Sequence, residues 1–125
     1  MDWLEHCKNA YAFCKKEVAW NEKYLESIER DIAWDNKMIK SERKKDRELC
    51  EYIWGKGVLD KWQMKIYGDP KKYVGSETKT YIGYRAQEYR RRKMAEKWLA
   101  NAYNDLAFYK AELKRMGVET DDEEV

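Results

Sequence analysis

Apolar side chains return every three or four residues from Leu4 to Ile53, and neither glycine nor proline interrupts the chain between Asp2 and Trp54. One column of this heptad repeat reads Leu4, Tyr11, Val18, Leu25, Ile32, Ile39, Asp46 and Ile53. Its partner column reads Cys7, Cys14, Asn21, Ile28, Asp35, Glu42 and Leu49. Eleven of these fifteen positions are apolar or aromatic, which marks a sustained helical seam rather than a short amphipathic stretch. Asp2 followed by Glu5 forms a capping box, and Gly55 supplies a stop. The pattern predicts a helix over 2–54, about 75 Å long if continuous. Usual helix lengths leave open two shorter helices broken near Asp35–Ser41.

Two flanking columns widen the apolar face. One carries His6, Phe13, Trp20, Ser27 and Trp34; the other carries Trp3, Ala10, Glu17, Tyr24, Asp31, Met38, Lys45 and Tyr52. Such a face exceeds the seam of a two-stranded coil, so the helix needs a neighbour beyond a helix of its own chain. A second subunit or a protein target would serve. The opposite face carries Lys16, Lys23, Arg30, Lys37 and Lys44, one cation per heptad. It reads first as a solvated ridge and second as a track for phosphates.

The segment from Gly55 to Gly75 is punctuated by glycines and by Pro70. Its middle reads either as a short helix on Leu59, Trp62 and Ile66 or as a small hairpin around Gly68-Asp69-Pro70. Ser76 is a candidate cap for a second helix over 77–116, with Lys114 and Arg115 in the last turn and Gly117 after it. Gly83 and the β-prone run Thr78–Ile82 weaken its start. Ala95, Leu99, Ala102, Leu106, Tyr109, Leu113 and Met116 form its seam, and the same register carried backwards reaches Arg92, Glu88 and Arg85. If Glu77 lies opposite Trp54, antiparallel partners have numbers summing to about 131. Arg85 then meets Asp46, Glu88 meets Arg43, and Arg92 falls between Asp35 and Glu42. Polar interruptions of the two seams would thus pair as a structural layer of Asp35, Glu42, Asp46, Arg85 and Arg92, with arginine–carboxylate forks fixing register. The expected architecture is an all-α, coiled-coil-like antiparallel hairpin. It forms a single helical domain over 1–118 with a short irregular or β-hairpin connector (55–76).

Composition supports long charged helices: of 125 residues, 43% are hydrophobic, 40% charged, and one is proline. The net charge of +2 hides an asymmetry. Glu119 to Glu124 holds five acids, which leaves 26 bases against 19 acids in the body. Residues 119–125 read as a flexible acidic tail that can shield a basic body. An apolar run of membrane-spanning length and a signal-peptide core are both missing, and the odd count of three cysteines fits a reducing compartment. These features predict a cytoplasmic protein with no membrane partner. Cys7 and Cys14 lie about 10 Å apart along one helix face, too far to bridge, and read as small core residues.

Chemistry is sparse. His6 is the lone histidine, Gly55-Lys56-Gly57 lacks the rest of a phosphate-binding loop, and no zinc-finger or RNA-recognition signature is present. The reading is a non-enzymatic protein without cofactor or metal. Two function classes follow. The first is an interaction module presenting Phe13, Trp20, Trp34 and Trp98 to a protein partner, since tryptophan, tyrosine and arginine dominate binding hot spots. In size and composition such a chain looks like accessory proteins of bacteriophages and mobile elements, including inhibitors of host nucleases such as anti-CRISPR proteins. That likeness implies action in the host cytoplasm. The second is a nucleic-acid binder that uses Arg90, Arg91 and Lys93 beside Tyr84, Tyr89 and Trp98, together with the basic ridge. The wide apolar face predicts a homodimer. Light scattering across micromolar concentrations should return twice the chain mass, and a monomer throughout would leave the aromatic columns to a partner.

Overall fold

The computed structural model describes residues 2–54 and 72–120. Both readings of the connector's middle fall on residues 55–71, outside this range, as does the tail beyond Thr120. The described chain is an all-α hairpin of two long helices, α1 (Trp3–Trp54) and α2 (Ser76–Arg115). α1 is continuous through Asp35–Ser41. Its start is held by Asp2, whose Oδ1 accepts the Glu5 amide at 2.7 Å while its carbonyl accepts the His6 amide at 3.0 Å. A side-chain oxygen thereby satisfies one of the first-turn amides that lack a helical acceptor. α2 ends in a Schellman motif: Val118 N–H reaches Leu113 O at 2.9 Å and Gly117 N–H reaches Lys114 O at 3.1 Å. Gly117 takes φ +80° there, a conformation that costs a side chain about 1–2 kcal/mol.

Contacts divide the hairpin into two compact units, Met1–Ile28 with Arg91–Val125, and Glu29–Arg90. In the first, Cys7, Tyr11, Cys14 and Val18 of α1 pack on Ala102, Leu106 and Leu113 of α2, with Leu4, Leu99, Tyr109, Met116 and Val118 around them. Both expected seams are present here. Small cysteine and alanine side chains let the two backbones approach. Cys7, Cys14 and Cys50 are free and buried, and burial pushes each thiol above its ordinary pKa, which disfavours the reactive thiolate.

The second unit has a more polar interior. Ile32, Ile39 and Cys50 are buried together with Asp35, Glu42, Thr78 and Glu88. Leu49, expected in the seam, is 46% exposed, and Cys50 is buried in its place. A straight helix drifts about 20° per heptad against a strict seven-residue repeat. Near the end of α1 the inward face has passed to the next residue.

The start of α2 shows how this unit is registered. Gly75, not Ser76, is the cap residue, since its carbonyl accepts the first helical bond, from Lys79 N–H at 3.0 Å. Glycine has no side chain with which to cap, and Asp46 of α1 supplies the carboxylate instead. Asp46 Oδ2 accepts Gly75 N–H at 3.0 Å and the Thr78 hydroxyl at 2.7 Å. A negative charge at this helix end also opposes the positive end of the α2 dipole. The approach is close: a Cβ on Gly75 would stand 2.5 Å from Asp46 Oδ1.

This contact overturns the expected pairing. Asp46 with Gly75 and Asn36 with Arg85 give numbers summing to 121, about ten residues short of 131. Glu77 acts electrostatically on Lys45 rather than facing Trp54, and α1 continues about two turns past the start of α2. Arg85 does not pair with Asp46. Its guanidinium donates to Asn36 Oδ1 at 2.9 Å and lies 5.9 Å from the Tyr89 ring centre. Glu88 is displaced from Arg43 by the same shift. Glu42 is served from its own helix by Lys45 Nζ at 3.1 Å. Arg92 lies 3.9 Å from Glu96, one turn further along α2. Asp35 is buried with its carboxyl pKa raised, by desolvation first and Asp31 second, against an opposing pull from Arg85. The expected Arg85–Asp46 fork is thus replaced by Asp46 on Gly75 and Thr78 and by Arg85 on Asn36.

Gly75 and Gly83 should respond oppositely to alanine. At Gly75 the added methyl displaces Asp46 and should cost about 1–3 kcal/mol, similar to Asp46→Ala through loss of the cap. Gly83 faces open space, so Gly83→Ala should add about 0.5–1 kcal/mol. Chemical denaturation of the three variants reads this directly, and a Gly75→Ala midpoint equal to the parent's would refute the close approach.

Candidate functional site

In the unit of Met1–Ile28 with Arg91–Val125, the seam side chains bury and the flanking columns stay at the surface. Phe13 and Trp20 are one heptad apart on α1, and Trp98 stands on α2. These three rings border a groove of about 480 Å³. Ala10, Cys14 and Ala102 line it with small side chains. The Asn21, Asn101 and Tyr109 side chains add polar atoms, and Glu17 and Asp105 add two carboxylates. Among the described residues no lysine or arginine lines it.

The aromatic wall is organised by Tyr24. Trp20 stacks on it with ring centres 5.4 Å apart and planes at 25°, and Tyr24 in turn stacks with Trp98 at 6.4 Å and 19°. A three-ring stack therefore ties α1 to α2 beside the groove, in the offset geometry that aromatic quadrupoles favour. Phe13 and Trp20 nevertheless remain 62% and 59% exposed, and Trp98 43%. Close by, the Tyr103 hydroxyl donates to Glu22 Oε1, which raises the phenol's pKa and keeps it protonated. Both groove carboxylates are felt at the floor: after burial itself, Asp105 and then Glu17 push the Cys14 thiol upwards.

At the terminal end of the same unit, Trp3 stacks on His6 at 5.3 Å, and His6 meets Tyr109 edge-on at 6.0 Å. Trp3 Nε1 donates to Glu112 Oε2 at 3.1 Å, and Arg115 donates to the same oxygen at 2.7 Å. Arg115 first and Trp3 second hold the Glu112 carboxyl below the usual range. The chain's one histidine is thus packed between two aromatic rings. Among the described residues no three His, Cys, Asp or Glu side chains converge as a metal site, and no helix is long and apolar enough to cross a membrane.

Of the four aromatics expected to meet a partner, three converge on the groove and one does not. Trp34 belongs to the unit of Glu29–Arg90, where it is exposed and Lys37 Nζ lies 5.7 Å from its ring centre. Arg90, Arg91 and Lys93 are exposed on α2, and the ridge of Lys16, Lys23, Arg30, Lys37 and Lys44 is exposed on α1. Asp105 and Asn101 were not anticipated from the sequence. Trp98, Asn101 and Asp105 are spaced three and four apart, each one residue before Leu99, Ala102 and Leu106. They form a column flanking the α2 seam, a signal that gains meaning only when α1 is laid beside it. No protein-family model, curated protein or solved structure matches this chain.

Glu112 gives a pH test. Its folded pKa is lowered, so its contribution to stability is present above the ordinary glutamate range and is lost as pH falls through the folded value. Thermal melts between about pH 6 and pH 3 should fall more steeply for the parent than for Glu112→Gln, with Trp3→Phe intermediate. Parallel acid limbs for all three would contradict the assignment.

Proposed function

We propose that this chain is a non-enzymatic protein-interaction module that binds a protein partner through the groove of Phe13, Trp20 and Trp98. The observation that carries this reading is three large rings left exposed around a concavity on two packed helices. Such rings bury much apolar area at small entropic cost, because their stacking and helical backbone already restrict them. Concave apolar sites with a few convergent polar groups are where proteins most often bind. A protein of this kind acts by occupying its partner's surface. Inhibition of a host nuclease, suggested by likeness in size and composition to phage accessory proteins, is one instance of that mode. Self-association through the same groove is the other form it can take.

The nucleic-acid reading rests on different residues, the exposed Arg90, Arg91 and Lys93. A groove bearing Glu17 and Asp105 repels phosphate, so the two readings separate by site. A photo-cross-linking residue in place of Phe13 should capture a defined protein in cells of the source organism, whereas one in place of Lys23 should not. Trp20→Ala combined with Trp98→Ala should abolish the capture while lowering stability by only about 1–3 kcal/mol. Capture unchanged by that pair would refute the groove. Nucleic acid recovered instead, in amounts that fall steeply with salt and with loss of Arg90, Arg91 and Lys93, would support the second reading.

A further inference from the structure

The groove's chemistry is more specific than an apolar cleft requires. Two carboxylates lie among its rings, and among the described residues no cation lines it. Elsewhere on the molecule, cations of the protein lie beside aromatic rings: Lys15 at 5.5 Å from the ring centre of buried Tyr11, Lys37 at 5.7 Å from exposed Trp34, and Arg85 at 5.9 Å from exposed Tyr89. Trp20 and Trp98 instead have Tyr24 between them. Both indoles border the groove together with Glu17 and Asp105. Ring faces carry negative potential, and a nearby carboxylate adds to it.

Resting on the interaction reading above, we infer that the groove receives an arginine side chain of the bound protein segment, its guanidinium met by Glu17 and Asp105 and its stem laid along Trp20, Trp98 and Phe13. Arginine suits this arrangement better than lysine for two reasons. Its planar head stacks on aromatic faces while presenting forked donors to carboxylates, and it sheds water more easily than an ammonium. The carboxamides of Asn21 and Asn101 offer further acceptors at the same lining. A volume of about 480 Å³ is within the range of sites that enclose a ligand group. An acidic or phosphate-bearing segment would face two carboxylates with no compensating cation.

Three capped tripeptides test this: acetyl-Leu-Arg-Leu amide, the same peptide with citrulline for arginine, and the same with glutamate. Citrulline keeps the shape and removes the charge. In the full-length protein, the arginine peptide should shift the indole N–H resonances of Trp20 and Trp98 and bind at least about tenfold more tightly than the citrulline peptide. The glutamate peptide should be weakest. In the double variant Glu17→Gln with Asp105→Asn, checked for an unchanged melting curve, arginine and citrulline peptides should bind alike. Equal binding of arginine and citrulline peptides to the parent overturns the cation assignment and leaves the interaction reading standing. No shift from any peptide up to about 10 mM also overturns it, while the cross-link from the Phe13 position decides the broader reading separately. Indole shifts that grow with protein concentration alone would give the groove to a second copy and overturn an external arginine.

Discussion

Asp46 brings a carboxylate to the first turn of α2, where backbone donors lack helical partners. It accepts the Gly75 amide and the Thr78 hydroxyl, and Thr78 is fully buried. Charged hydrogen bonds of this type stabilise by about 1.5–3 kcal/mol, more than a typical exposed ion pair at about 0–1 kcal/mol. Position matters more than magnitude here. The clamp joins a defined residue of α1 to the first residues of α2, so it discriminates among helix offsets that the apolar contacts treat alike. Gly75 is part of the same device, because any larger residue would hold the carboxylate away.

The interior of that unit shows why such a lock is needed. Ile32 and Ile39 are its buried branched side chains, and between them lies Asp35 with a raised pKa. Burial of an ionised carboxylate works against folding unless it is compensated. Arg85 compensates only in part, since its guanidinium donates to Asn36. An interior so polar gives weak preference for one alignment over another. Specific polar contacts therefore carry the discrimination.

The unit of Met1–Ile28 with Arg91–Val125 works differently. Its interior is mostly apolar, with small Cys7, Cys14 and Ala102 beside Tyr11, Val18, Leu106 and Leu113, and Asn21 as its buried polar side chain. Apart from buried Tyr11, the large aromatics of this unit stand mostly on the flanks. There Phe13, Trp20 and Trp98 border a groove rather than fill a core. The exposure of these rings thus follows from their flanking columns. Carboxylates on the same flanking columns give that groove its chemical sign.

Local and periodic features were determined by the sequence itself. The period of Leu4 to Glu42, the Asp2 cap and the Gly117 stop each depend on residues a few positions apart, and helix formation obeys those short distances. The flanking position of Phe13, Trp20 and Trp34 also followed from the heptad columns of the first helix. Tertiary structure alone decided the offset between the helices. A repeating apolar pattern matches itself after each heptad, about two turns, and in part at the three- and four-residue steps within it, so the pattern cannot choose. The choice fell to Asp46 on Gly75 and Thr78, residues 29 and 32 positions apart in the chain. The same limit concealed the groove. Glu17 and Trp20 could be placed on one face of α1, but their meeting with Trp98 and Asp105 depends on which turns of α2 lie opposite.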